Sequence, residues 1–223
     1  PSGLVPVLAD GDTVVWESLS IVEYLAEGHP GVWPADPAAR AWARSAAAEM
    51  HGGFSALRNI CGMNCGIRVR LPEISPPLQA NLDRLEALWA EGLDRFGGPY
   101  LAGPAFTAVD AFFCPVAFRV QTYGLPLGDR AAAYVQRLLA LPAMQDWYDA
   151  GLRETFREGV HEAEQRAAGG DRGVDRDVGV DAGVEERLPE QHPLPVVAAE
   201  DRHDRGGRDA AVGQRPRLDH PQA

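Results

Sequence analysis

The run Leu4-Val5-Pro6-Val7-Leu8, followed by Thr13-Val14-Val15-Trp16 and Glu17-Ser18-Leu19-Ser20-Ile21, decides how this chain is read. A proline between valines is out of place in a sheet interior, because it has no N–H to give to the ladder. It therefore marks a strand start or a cis bond. Asp10-Gly11-Asp12 supplies a hairpin turn, and Thr13-Val14-Val15-Trp16 returns as the second strand. Glu17-Ser18 then closes the strand and opens a helix, with Ser18 expected at the N-cap. The unit presents a hydroxyl and free amides at a helix N-terminus, a place that suits a carboxylate.

Composition narrows the classes. The chain has 223 residues and a formal net charge of −11, which disfavours a nucleic-acid or anionic-membrane partner. Every basic residue apart from histidine is arginine. The three cysteines do not form a disulfide framework and fit a reducing, cytoplasmic setting. No apolar run approaches the roughly 18 residues of a membrane span.

Beyond the hairpin, the first helix is expected from about Ser18 to Glu27, with Ile21, Val22 and Leu25 on its apolar face. Asp36-Pro37 caps the next helix, whose Ala-rich pattern runs through Trp42, Met50 and Phe54 to about Asn59. A less regular stretch covers Cys61 to Arg70, and a long helix follows from Ser75-Pro76-Pro77 to Phe96. These two long helices read as an antiparallel hairpin. Thr107 and Asp110 form a capping box for a nearly all-apolar helix that contains Pro115. Helices over Asp129 to Leu141 and from Pro142 onward complete the body, the last turning Trp147, Tyr148, Leu152 and Phe156 toward the core. From Ala167 on, the sequence has no Trp, Tyr or Phe and reads as a disordered tail, either out-of-frame coding or a natural acidic extension.

The Val5-Pro6 step, the Glu17-Ser18 pair and the Thr107/Asp110 box together resemble the cytosolic glutathione S-transferases of bacteria. The resemblance implies an α+β chain. Residues 1–30 would be a partial thioredoxin-like glutathione-binding domain, residues 31–164 an all-helical C-terminal domain, and residues 165–223 the tail. In that family Val5 and Pro6 would meet the cysteinyl part of glutathione, and Glu17 and Ser18 the γ-glutamyl end. Many members carry a basic residue before the Val-Pro step, where this chain has Leu4. The chain opens at Pro1-Ser2-Gly3, inside the loop before that strand, so the family's thiol-activating residue is expected upstream of it and no catalytic residue is named here.

The implied reaction is transfer of the glutathione thiolate, with glutathione as co-substrate, to a small electrophile by a homodimeric cytoplasmic enzyme. In this chain that activity is expected to be impaired. A non-catalytic protein that binds glutathione or an apolar ligand is the alternative. Met50, His51, Phe54 and Arg58 lie on the helix that in this family faces the cleft, where they would line the electrophile pocket; core packing explains Met50 and Phe54 equally well. Nothing in the sequence places a carboxylate or nucleophile beside His51 to make it a base. Cys61 and Cys65 have neither the spacing nor the partner pair of a metal site, so no metal is expected. Cys114 reads as a small hydrophobe.

Overall fold

The computed structural model describes residues 2–155, together with residues 160, 163, 164 and 167 and the backbone of 174–175. All of these lie within one compact unit, Pro1–Val184. The elements run β1 (Val7–Asp10), β2 (Thr13–Trp16), α1 (Ser18–Gly28), α2 (Pro37–Gly52), α3 (Ser55–Ile60), β3 (Arg68–Val69), α4 (Pro76–Phe96), α5 (Ala108–Tyr123), α6 (Asp129–Leu139), α7 (Pro142–Arg153) and β4 (Val174–Asp175).

The expected hairpin is present. β1 and β2 pair antiparallel, with Val7 opposite Trp16 and Leu8 opposite Val15. Side chains alternate across the pleat: Leu8 and Val15 are half-buried, while Val7, Val14 and Trp16 are exposed. The Val5–Pro6 peptide is cis. α1 packs beside the hairpin with no fully buried residue. It rests half-buried Leu19, Val22 and Ala26 against the core and adds polar ties: Tyr24 donates to Asp10 at 2.8 Å, and Arg44 of α2 grips Glu23 in a two-pronged pair at 2.8 and 2.7 Å. The Arg44 guanidinium, first through these hydrogen bonds, holds the Glu23 carboxyl below its usual range.

The core belongs to the helices. Asp36 caps α2 by accepting from the Ala39 amide at 2.7 Å, with Pro37 at the first helical position, as expected. The helix does not continue to Asn59. It stops at Gly52, Gly53 follows, and Phe54 takes a left-handed conformation (φ 55°) before α3 begins. Two consecutive glycines weaken the helix, and the Gly53 amide closes back on the Glu49 carbonyl at 2.8 Å. A Cβ at Gly53 would lie 2.6 Å from that same carbonyl oxygen, so the close return needs a glycine.

α4 meets α2 through another glycine. A side chain at Gly92 would strike the Trp42 ring and lie 2.6 Å from the Leu101 carbonyl oxygen. Trp42 fills the space and anchors its indole N–H on Glu91 at 2.9 Å. Trp89, fully buried on α4, packs edge-on against Phe113 of α5 (ring centroids 5.6 Å) and against Tyr134 of α6 (4.9 Å). α6 ends at Leu139, two residues short of the expected Leu141. On α7 the inward expectation fails for Trp147, which is 46% exposed although its ring touches Phe118. Tyr148 and Leu152 are half-buried, and Phe156 lies outside the described residues. Of the expected tail, Val174–Asp175 pairs antiparallel with Arg68–Val69; its other residues lie outside the described set apart from Ala167.

The capping box at the start of α5 is formed. Its strong arm is Asp110, fully buried, whose Oδ2 accepts from the Thr107 amide at 2.9 Å. The other oxygen accepts from the Leu101 amide at 3.0 Å and from the Tyr134 hydroxyl at 2.8 Å. Pro115 lies inside α5 without ending it. Burial pushes the Asp110 carboxyl above its ordinary value, against the lowering effect of these donors. Asp110→Ala is expected to lower stability by about 1–3 kcal/mol, because it strands buried donors. A folded-state pKa above the unfolded one means the folded form holds its proton to higher pH. The wild-type advantage over the alanine variant should thus be largest at acid pH and shrink as pH rises from near 3.8 through the folded value. Chemical denaturation of both proteins across pH checks this; an advantage that grows with pH would overturn it.

Candidate functional site

The candidate site forms where the hairpin hands over to α1. Glu17, not Ser18, occupies the N-cap position, with φ 70° and ψ 128° and no side-chain cap. Ser18 is the first helical residue, so its hydroxyl is not spent on the helix's own amides. A positive φ at a residue with a Cβ is a strained state that a glycine would relieve. Its effect is to turn the Glu17 side chain and the Ser18 hydroxyl toward a single partner, His51.

His51 stands in the last turn of α2. Its Nδ1 lies 3.3 Å from Ser18 Oγ, and its Nε2 lies 3.5 Å from Glu17 Oε2. The partners are far apart along the chain, so their meeting was not expected; a carboxylate and a hydroxyl do stand beside His51. The ring also meets Phe112 of α5 edge-on, with centroids 6.4 Å apart. Three elements thus hold one imidazole. Either nitrogen can carry the proton; with Nδ1–H donating to Ser18, the serine hydroxyl proton is left for a ligand. The pair with Glu17 is half-open to solvent and contributes little to stability.

The other candidates separate. Met50 and Phe54 are each 6% exposed and belong to the helical core. Arg58 turns back to donate to the His51 carbonyl at 2.7 Å and also lines a cavity of about 660 Å³ beside Ile60, Met63 and Leu71. Val5 is almost fully exposed, and its cis bond to Pro6 immediately precedes β1. Thr107 and Asp110 sit in the capping box, buried. Burial pushes the Cys61 and Cys114 thiols up to about 12, so neither is a ready nucleophile. Among the described residues no three His, Cys, Asp or Glu side chains are grouped to hold a metal ion. No described helix is long and apolar enough to cross a membrane.

Residues 1–33, which carry Val5, Pro6, Glu17 and Ser18, match the family described as glutathione S-transferase, N-terminal domain. Over 164 residues the chain is 29% identical to a stringent starvation protein A homolog of Coxiella burnetii, covering 71% of this chain and 73% of that one. It is also 29% identical over 168 residues to the glutathione S-transferase GstA of Escherichia coli O157:H7, covering 69% and 77%. A crystal structure of a glutathione S-transferase from Rhodospirillum rubrum shares the fold, with a TM-score of 0.50 at 20% identity over 70% of this chain and 73% of that one. The chain is similar to the bacterial glutathione S-transferases, with a hairpin-and-helix segment that matches their N-terminal domain followed by a helical body.

The backbone at Glu17 yields a direct test. Glu17→Gly should leave stability unchanged or raise it by about 1 kcal/mol, because the left-handed state costs glycine nothing. Glu17→Val should lower it by about 1–3 kcal/mol. Denaturant midpoints of the two variants decide; equal values would mean that position 17 carries no backbone strain.

Proposed function

We propose that the chain binds glutathione across Val5, Pro6, Glu17 and Ser18, and serves transfer of the glutathione thiolate to a small electrophile. The observation that carries this reading is the meeting of Glu17, Ser18 and His51 at the start of α1, inside the segment that matches the transferase N-terminal domain. There the Ser18 hydroxyl and the α1 N-terminal amides supply donors for the ligand's α-carboxylate. The Glu17 carboxylate suits the α-ammonium beside it. The open backbone of Val5, ahead of the strand, can pair with the cysteinyl amide in the manner of an added strand.

His51 acts on Ser18 and Glu17 together. It orients the hydroxyl and shares the carboxylate, so it is a positioning residue in this reading. His51, Arg58 and Phe112 face the side on which an electrophile would approach, while Met50 and Phe54 support that wall from within. As the family resemblance implies, the working form is a homodimer in the cytoplasm.

Ser18→Ala should weaken glutathione binding by about 1.5–3 kcal/mol, the loss of a hydrogen bond to a charged group. Titration calorimetry of the wild type and the variant measures it. Equal affinity for the two would remove Ser18 from the site. A wild type that binds glutathione but does not conjugate an activated aryl halide would select the non-catalytic binding protein instead.

A further inference from the structure

A hydroxyl, an imidazole and a carboxylate in one chain of contacts can do more than hold a ligand. Ser18 Oγ lies 3.3 Å from His51 Nδ1, and the other ring nitrogen lies 3.5 Å from Glu17 Oε2. A carboxylate only accepts, so with no ligand ammonium on Glu17 it favours the tautomer whose proton sits on Nε2. Nδ1 is then the bare nitrogen, and it faces the Ser18 hydroxyl as an acceptor. That is the relation of a base to a nucleophile, with a third group orienting the base.

The backbone favours the same chemistry. β2 ends at Trp16, Glu17 takes its positive φ of 70°, and Ser18 opens α1. A strained turn between a strand and a helix is the setting that lifts a nucleophilic serine clear of the chain. Ser18 does not hold the N-cap position, and the first backbone bond of α1 runs from the Ile21 amide to the Glu17 carbonyl at 2.9 Å. The Leu19 and Ser20 amides therefore have no acceptor within the helix, and amides of a first turn suit the negative oxygen of an attacked carbonyl. His51 is steadied from two sides, by the Phe112 ring edge-on and by Arg58, which grips its carbonyl at 2.7 Å. The His51 and Glu17 side chains are 36% and 51% exposed, so a small substrate and water can both reach the trio.

We propose that Ser18, His51 and Glu17 form a hydrolytic site for small carboxylic esters. Contacts of 3.3 and 3.5 Å activate a hydroxyl less than short ones would, which limits the class to esters of good leaving groups, such as aryl esters. Ser18 Oγ adds to the ester carbonyl while His51 Nδ1 takes the hydroxyl proton. The carbon–oxygen bond to the leaving group then breaks, and His51 returns the proton to the departing oxygen. Water attacks the serine ester that remains and gives a proton to His51. The bond to Oγ breaks, Oγ recovers that proton, and the carboxylic acid departs. Water is the sole co-reactant. Glu17 touches no reacting atom and acts as a positioning residue, holding the tautomer and the ring angle. The site shares residues with the glutathione reading but needs no glutathione, so either can fail alone.

The test is hydrolysis of 4-nitrophenyl acetate by the full chain in the absence of glutathione. Turnover should saturate, and acid-quenched protein should carry an acetyl group on the peptide that contains Ser18; the chain has no lysine to compete for it. Ser18→Ala and His51→Gln should each lower kcat at least about 100-fold. Ser18→Cys should still take up the acetyl group, which separates a lost nucleophile from a lost fold. Glu17→Gln should lower kcat at least about tenfold with KM unchanged. Turnover no faster than buffer alone, turnover that persists in Ser18→Ala, an acetyl group only on another residue, or a His51→Gln rate equal to that of the wild type would each overturn the proposal.

Discussion

The buried carboxylate of Asp110 is the constraint on which the helical body depends. Its two oxygens take hydrogen bonds from the Thr107 amide, the Leu101 amide and the Tyr134 hydroxyl. One side chain thereby sets where α5 begins, how the loop from α4 arrives, and where α6 lies. The cost is desolvation, visible in the raised carboxyl pKa. Removing the partners singly would leave that cost uncompensated, so the four residues work as one unit. From this fixed point α5 runs through the centre, carrying Phe112 to the His51 ring and Arg119 to the Cys61 carbonyl.

The hairpin and α1 are held differently. No residue of α1 is fully buried, and its recorded polar links to α2 are the Arg44–Glu23 pair and the contacts of His51. Such exposed pairs contribute only about 0.2–1 kcal/mol each. The residues proposed to bind glutathione therefore stand on an element held by half-buried apolar contacts and exposed pairs, beside the buried helical body. That is a favourable division of labour, because a ligand that bridges the two can alter their association at small energetic cost.

Features set by neighbouring residues were legible in the sequence. Asp36-Pro37 and Thr107/Asp110 show their caps within a few positions, and the hairpin shows its turn at Asp10-Gly11-Asp12. The break between α2 and α3 was written in Gly52-Gly53 but masked by the alanine-rich run on its N-terminal side. The positive φ at Glu17 was not legible, since nothing in a glutamate marks a left-handed backbone. The trio of Glu17, Ser18 and His51 needs α1 and α2 to pack antiparallel, a fact of tertiary structure. Trp147 misled because an aromatic residue in a helix is ordinarily turned inward, whereas here it rests on Phe118 with half its surface open.

Gly92 has a consequence for how this sequence can change over generations. Its neighbours are of two kinds: the Trp42 ring, which substitution can shrink, and the Leu101 carbonyl oxygen, which belongs to the main chain. Were the ring the sole obstacle, a smaller residue at 42 would open position 92 to alanine, and the two positions could drift as a compensating pair. The carbonyl closes that route, because no choice of side chain moves it and Leu101 is itself tied to Asp110. Position 42 can therefore wander through residues of falling size at the expense of packing, while position 92 has no neutral path away from glycine.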